Sequence, residues 1–259
     1  MKVVLFCGGQ GMRMREYSDV IPKPMVQIGY RPILWHLMKY YAHYGHKEFI
    51  LCLGYRGDTI KNYFLNYDEC VSNDFVLTGG GRNVQLISKD IDDWKITFVD
   101  TGLHSNVGQR LMRVRKYVEN DEIFLANYAD GLTDLPFSTL HDYFLKEPKT
   151  ACFLGVRPLA SYHLVSLSGE GVVTDITSTA LSSSRINGGF FILRNSIFNY
   201  MKDGEELVEA PFRRLIGEGQ LMAYPYDGFW ACMDTFKEKQ ALDELYTKGT
   251  APWEVWKQS

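Results

Sequence analysis

Long apolar runs are missing from this chain. Stretches such as KVVLF (2–6) stay far short of the roughly 18 residues a membrane span needs. An excess of one charge is missing too: 28 Lys and Arg stand against 31 Asp and Glu, a formal net charge of −3. No global basic field therefore points to nucleic acid or an anionic membrane as partner. Cysteine is scarce and unpatterned. Cys7, Cys52, Cys70, Cys152 and Cys232 are odd in number and lack Cys-x-x-Cys spacing. That argues against a disulfide framework or a zinc site and for reduced thiols in a cytoplasm. The N-terminal MKVVLFCGGQGMRM has one Lys and an apolar run of five residues, too short for a secretory signal. Internal repeats, low-complexity tracts and Pro/Ser linkers are absent, so the 259 residues are expected to form one unit.

The 46% of apolar residues are distributed as in a globular α/β protein. KVVLF (2–6), EFILCLG (48–54), KITFVD (95–100) and EIFLANYAD (122–130) read as buried strands, each bounded by turn residues. Between them lie helical patterns: a run from Pro32 through Tyr41 with the proline in its first turn, a short helix from Thr59 to Tyr67, and a basic amphipathic one from Gly108 to Tyr117. Strand–helix alternation over 1–150 predicts a Rossmann-like, mostly parallel sheet flanked by helices on both faces. Beyond 150 the runs TACFLGV, HLVSLS, GVVTDI and GGFFIL predict a mixed or antiparallel extension of that sheet. Helices are expected over Ala210–Gly217 and Asp234–Lys248, followed by the tail APWEVWKQS. His36 and His43 share a helical face and read as core or boundary residues. Trp253 and Trp256 read as packing against the body or a neighbouring subunit.

Gly8-Gly9-Gln10-Gly11-Met12-Arg13 follows the first strand directly. Ligands of open α/β sheets bind at strand carboxyl ends, and glycines there let backbone N–H groups face phosphate oxygens. Arg13 adds a cation to the same place. The spacing fits neither Gly-x-Gly-x-x-Gly nor a P-loop, so a plain strand-to-helix turn stays open on the glycines alone. In Ile21-Pro22-Lys23-Pro24-Met25, two prolines hold the backbone around one lysine, a stiff strut for placing one charge. Asp130 ends a buried strand, and Asp234 lies in Trp230-Ala231-Cys232-Met233-Asp234-Thr235. An unpaired carboxylate beside an apolar run is costly, and a shared Mg²⁺ would remove the cost. A turn role for Asp130 and a helix N-cap role for Asp234 remain open on the residues alone.

GGQGMRM followed by PKPMVQIGYRPILWHLMKYY resembles the signature of the sugar-1-phosphate nucleotidyltransferases. WKITFVDTG, GQRLMRVRKYV, YADG, INGGFF, LMAYPYDGFWACMDT and KGTAPWEVW resemble one branch, the glucose-1-phosphate cytidylyltransferases. The resemblance implies a GT-A-like nucleotidyltransferase fold, with 1–150 as the nucleotide-binding half and 151–259 as the sugar-phosphate half. It implies transfer of CMP from CTP to a sugar 1-phosphate, with Mg²⁺ as cofactor and a homo-oligomeric state. Phe6 and Gly8 to Arg13, namely Gly8, Gly9, Gln10, Gly11, Met12 and Arg13, would contact the triphosphate. Lys23 would bridge the α-phosphate and the incoming phosphate, making Arg13 and Lys23 the catalytic cations. Ser105, Arg110 and Ala129 would contact the nucleotide, Asp130 and Asp234 would hold Mg²⁺, and Asn187, Gly188 and Gly189 would face the sugar.

The chain departs from that pattern mainly on the acceptor half. Met12 replaces the usual threonine and Ala129 a glycine. Thr177-Ser178-Thr179 stands where the family carries Glu-Lys-Pro, whose lysine grips the sugar phosphate. Ser161-Tyr162-His163 replaces Arg-Phe-Gly. Losing a phosphate-gripping lysine weakens acceptor binding by about 1.5–3 kcal/mol. The expectation is an acceptor other than glucose 1-phosphate, with Arg157 or Arg185 as the compensating cation. GTP, UTP or ATP as donor, a modified sugar or cyclitol phosphate as acceptor, and a non-catalytic nucleotide-sugar binder are the competing readings.

Overall fold

The computed structural model describes residues 1–9, 21–158, 163–178 and 184–257. In chain order the strands are β1 (Lys2–Phe6), β2 (Gln27–Ile28), β3 (Arg31–Pro32), β4 (Glu48–Leu53), β5 (Phe75–Thr78), β6 (Asn83–Leu86), β7 (Lys95–Asp100), β8 (Ile123–Tyr128), β9 (Gly131–Thr133), β10 (Ala151–Val156), β11 (His163–Leu167), β12 (Val173–Ser178), β13 (Ile186–Asn187), β14 (Phe191–Arg194), β15 (Leu221–Tyr226) and β16 (Trp230–Cys232). The α-helices are α1 (Ile33–His43), α2 (Gly57–Leu65), α3 (Val107–Val118), α4 (Phe137–Leu145), α5 (Ala210–Gly217) and α6 (Phe236–Thr247).

Eight strands form one mixed sheet. Its parallel half is β8–β1–β4–β7. It continues through antiparallel β14 and β10, with β13 beside the far end of β10 and β15 parallel on its other edge. Side-chain alternation along β1 divides the core in two. Val3, Leu5 and Cys7 pack with α1, α4 and the C-terminal tail on one face. Val4 and Phe6 pack with Leu111, Val114 and Val118 of α3 and Phe212 and Leu215 of α5 on the other. Helices therefore cover both faces, as the strand–helix alternation requires.

The predicted helices shift by at most two residues at their ends, and Ala210–Gly217 not at all. Pro32 is the N-cap of α1 and belongs to β3 rather than to the first turn. The Asn106 side chain caps α3 in a reciprocal pair with Gln109. Thr235, not Asp234, caps α6, with Glu238 returning the bond.

One expectation is corrected. HLVSLS and GVVTDI do not extend the sheet; β11 and β12 pair only with each other. Their register sets Val165 opposite Ile176 and Leu167 opposite Val173, and all four are more than half exposed. A second hairpin, β5–β6, sets Phe75 opposite Leu86 and Leu77 opposite Val84 on one face. Composition reads these runs as strands, but only tertiary context says which sheet they join.

α1 is buried almost all round, since nine of its eleven residues are buried. The tail supplies the missing cover. Trp253 is fully buried, stacks on Phe229 at 5.8 Å and donates from Nε1 to His36 Nδ1 at 3.3 Å. His36 in turn donates from Nε2 to the Ile28 carbonyl at 3.0 Å. Both ring nitrogens are thus used by a neutral imidazole. Burial pushes its pKa from the ordinary 6.5 down to about 4. The histidine is a core residue, and the tail tryptophan packs on the body.

Truncating Trp253 to Ala removes the cover of α1 and is expected to cost about 3–5 kcal/mol in urea unfolding. As pH falls from about 6.5 toward about 4, the unfolded chain protonates His36 and the folded chain does not. Stability should fall over that window and be flat with respect to this group above it. Urea midpoints measured between pH 7.5 and pH 5 should show a shallower slope in His36→Gln than in the parent.

Candidate active site

The site grows from two neighbouring strand ends. Phe6 of β1 is in register with Tyr128 of β8, so Gly8-Gly9 and Ala129-Asp130 emerge side by side at the carboxyl edge. Asp234 arrives from more than 100 residues away. β9 pairs antiparallel with β16, Cys232 facing Gly131, and Met233 N–H donates to the Asp130 carbonyl at 3.0 Å. This pairing lays Asp234 next to Asp130.

Lys23 begins a single 3-10 turn, Lys23–Met25, behind an extended Pro22. Its ammonium donates to Asp130 Oδ2 and, at 2.5 Å, to Asp234 Oδ1. Burial alone would depress the lysine pKa, but the Asp130 and Asp234 carboxylates outweigh it and the net shift is upward. The ammonium is therefore charged at neutral pH. The Asp234 N–H donates to Glu238 Oε2 at 2.7 Å, which fixes that backbone, and its Oδ2 accepts from Cys232 Sγ at 3.6 Å.

Arg110 is 3% exposed and meets no carboxylate within ion-pair distance among the described residues. Its guanidinium donates to the Gly8 carbonyl at 2.6 Å, the Leu53 carbonyl at 3.1 Å and Thr101 Oγ1 at 2.7 Å. These groups lie just past or at the ends of β1, β4 and β7. Burial lowers its pKa from the ordinary arginine value. A Cβ on Gly8 would sit 2.1 Å from the guanidinium, and one on Gly54 would sit 2.8 Å from both it and the Gly8 carbonyl. Both glycines are required by this close approach.

Together these groups line a cavity of about 510 Å³. Of the predicted residues, Phe6, Gly8, Gly9, Lys23, Ser105, Arg110, Ala129 and Asp130 line it. Asp234 joins through Lys23. Ser105 donates from Oγ to the Thr101 carbonyl and accepts from Arg113. Gln10, Gly11, Met12 and Arg13 lie outside the described residues. Asn187 touches the cavity wall through Tyr128, whose hydroxyl accepts its amide at 3.2 Å. Gly188 and Gly189 are held by backbone needs. The Gly188 carbonyl accepts from Trp230 Nε1, and Gly189 has φ +76°, where a Cβ would meet Asn127 Oδ1 at 2.3 Å. Arg157 and Arg185 both bind Asp227, at 2.7 Å and 3.0 Å, at the ends of β10 and β15. Neither lines the cavity.

Sequence reasoning missed Tyr128, Glu206 and the neighbours of the expected Ser105, namely Leu103, His104, Asn106 and Val107, as wall residues. The loop carries a signal, since it follows a strand end; Glu206 carries none.

Two acidic side chains sharing one ammonium form a ready site for a hard cation. Among the described residues no group of three or more His, Cys, Asp or Glu is arranged for a metal. An ion here would rest on two carboxylates and complete its shell with ligand or water oxygens, the pattern suited to Mg²⁺. The nearby thiols are no nucleophiles. Burial raises Cys7 well above its usual range, and burial together with Asp234 and Asp130 pushes Cys232 up to about 12. A larger cleft of about 1390 Å³ between α1, the 70–94 segment and the tail contains none of the predicted site residues. Its buried charges satisfy one another, Asp90 accepting from Lys39, Tyr67 and Ser72.

No protein-family model matches the chain. Glucose-1-phosphate cytidylyltransferases from Salmonella typhi and Salmonella typhimurium (strain LT2) are each 38% identical over 257 residues, 99% of this chain and 100% of theirs. A crystal structure of HddC from Yersinia pseudotuberculosis is similar in fold, with TM-score 0.67 and 20% identity, covering 95% of this chain and 99% of that one. A UDP-glucose pyrophosphorylase complexed with UDP-glucose gives TM-score 0.68 at 16% identity, covering 96% and 98%.

The Gly8–Arg110 contact predicts a coupled pair of substitutions. Gly8→Ala should destabilise the protein by about 1–3 kcal/mol, the usual cost of overpacking. In an Arg110→Ala background the same change should be close to neutral. Urea denaturation of the four proteins of this double-mutant cycle measures the coupling.

Proposed function

Because the chain belongs to the sugar-1-phosphate nucleotidyltransferases, on their glucose-1-phosphate cytidylyltransferase branch, we propose that it transfers CMP from CTP to a sugar 1-phosphate. The observation that carries the reading is the convergence of Lys23, Asp130 and Asp234 beside the Gly8-Gly9 strand end. Parallel strand ends of this kind are where α/β sheets bind phosphates.

In the reaction a phosphate oxygen of the acceptor forms a bond to the α-phosphorus. The bond from that phosphorus to the β-phosphate bridging oxygen breaks, and pyrophosphate leaves with the electron pair. A phosphate monoester is already an anion near neutral pH, so no strong base is required. What the protein must supply is in-line positioning and neutralisation of charge. The backbone from Gly8 to Arg13 cradles the triphosphate, with Arg13 toward the departing pyrophosphate. Lys23 bridges the α-phosphate and the acceptor phosphate. Arg110 and Ser105 hold the 101–105 wall against the nucleotide, and Ala129 sits beside it. Asp130 and Asp234 would hold Mg²⁺, which supplies charge neutralisation on the polyphosphate when bound.

The sheet divides the labour. Residues 1–150 supply the nucleotide half, and 151–259 supply the acceptor half, with Asn187, Gly188 and Gly189 toward the sugar. The acceptor half supports a substrate other than glucose 1-phosphate. Thr177 and Ser178 lie on the β11–β12 hairpin and offer hydroxyls, and Thr177 already donates to Asp175 at 2.7 Å. The two candidate compensating arginines share Asp227. A homo-oligomer is supported by the half-exposed aliphatic face of β11–β12, which a second copy of the chain would cover. A cytoplasmic location accords with five free cysteines. No helix among the described residues is long and apolar enough to cross a membrane.

Pyrophosphate release, measured for CTP, GTP, UTP, ATP and dTTP against a panel of sugar and cyclitol phosphates, tests the reading. CTP should be the preferred donor, and glucose 1-phosphate should rank below another acceptor. Lack of release with every pair would mean a non-catalytic binder. Lys23→Ala should lower turnover by at least about a hundredfold, the scale of losing one preorganised charge-stabilising donor. Asp130→Asn and Asp234→Asn should each abolish the response of the rate to Mg²⁺.

A further inference from the structure

The lysine and the two carboxylates carry a consequence for the order in which the site fills. The inference rests on Asp130 and Asp234 being the divalent-cation site. We propose that the Lys23 ammonium is a built-in competitor for that site. It holds the two carboxylates together while the cleft is empty, and it must swing out toward the polyphosphate before an ion can take its place.

The geometry leaves little room for both cations. The ammonium donates to one oxygen of each acid, the same two atoms that converge from neighbouring strands. Mg²⁺ binds carboxylate oxygen at about 2.0–2.1 Å and demands near-octahedral order, so it needs those lone pairs free of a donor. An ammonium left in place would also put two positive charges at hydrogen-bond separation, with strong repulsion at any dielectric constant a cleft can have.

Lys23 is built to move at its head and not at its base. Its backbone lies in the Lys23–Met25 turn between Pro22 and Pro24, closed by the Val26 N–H donating to the Lys23 carbonyl at 3.1 Å. Pro24 and Met25 are buried. The four-carbon stem, by contrast, needs only side-chain torsions to change, and it opens onto the cavity that Gly8 and Gly9 line. A phosphate held beside Gly8 and Gly9 gives the ammonium a new partner and withdraws it from the two acids.

The two ligands are therefore coupled. Phosphate draws Lys23 off the carboxylates and raises the affinity for the ion, and by linkage the ion raises the affinity for phosphate to the same degree. The empty enzyme binds a divalent ion weakly, although it carries both ligands for it.

The test reads metal binding directly, without turnover. Mn²⁺ alone is titrated into nucleotide-free protein and followed by electron paramagnetic resonance. Lys23→Met, checked for an unchanged near-ultraviolet circular dichroism spectrum, should bind Mn²⁺ at least about tenfold more tightly than the parent. Affinity within twofold of the parent would overturn the proposal. Independently of any variant, the Lys23 ammonium resonance of ¹⁵N-lysine-labelled parent protein should shift as Mg²⁺ saturates the site. Saturation that leaves this resonance unmoved also overturns it. The Lys23→Met gain should vanish when Asp130→Asn is added. Binding that survives this addition, or a complete lack of Mn²⁺ binding by Lys23→Met, refutes the cation-site reading itself and the competitor with it.

Discussion

A guanidinium taken out of water costs several kcal/mol unless hydrogen bonds replace its hydration. Arg110 meets that demand with main-chain carbonyls and one hydroxyl from three adjacent strand ends. The arrangement sets much else. It fixes how closely β1, β4 and β7 approach where their regular pairing stops, and it excludes a side chain at Gly8 and at Gly54. It also sets one positive charge against carbonyl dipoles at the wall of the cavity, which Asp130 and Glu206 line as well. The Gly8 peptide that opens the glycine-rich segment is thus held in place by a buried cation.

The sheet was largely legible because its strands are short, continuously apolar and bounded by turn residues. Buried parallel strands must look like this. Lys23 was legible because prolines on both sides make a lysine's position unusually definite. Asp130 was legible as a carboxylate at a strand end. Its partnership with Asp234 has no local trace, since it arises from β9 pairing with β16 across about 100 residues of intervening chain. On the residues alone a shared Mg²⁺ was one open reading beside turn and N-cap roles, and the family resemblance chose it. Arg110 is an instructive case. The resemblance placed it against the nucleotide, and the structure shows where its hydrogen bonds go: chiefly to the backbone that forms the cleft's wall. No periodicity announces that role, because a basic residue on an amphipathic helix is ordinarily solvated. Gly54 went unremarked as one more glycine after a strand. The β11–β12 hairpin was misplaced because a strand's composition does not state its neighbour.

The departures on the acceptor half and the retained groups occupy different parts of the molecule. Lys23, Asp130 and the Gly8 strand end belong to the parallel half, built on β1 and β8. Thr177 and Ser178 sit on a hairpin outside the sheet, and Arg157 and Arg185 lie at the β10–β15 edge around Asp227. Changes in the second group therefore leave the first group's supports untouched. A fold that keeps its phosphate chemistry on rigid strand ends can vary its acceptor through peripheral segments.

The contact between His36 and Trp253 joins positions 217 residues apart. On a ribosome adding about 5–20 residues per second, α1 would wait on the order of ten to forty seconds for the segment that seals it. Throughout that wait a helix greasy on nearly every side hangs in the nascent chain with one flank bare. Bare apolar surface of that kind is prone to aggregate, and where a single tryptophan was written into the message sets how long it stays bare.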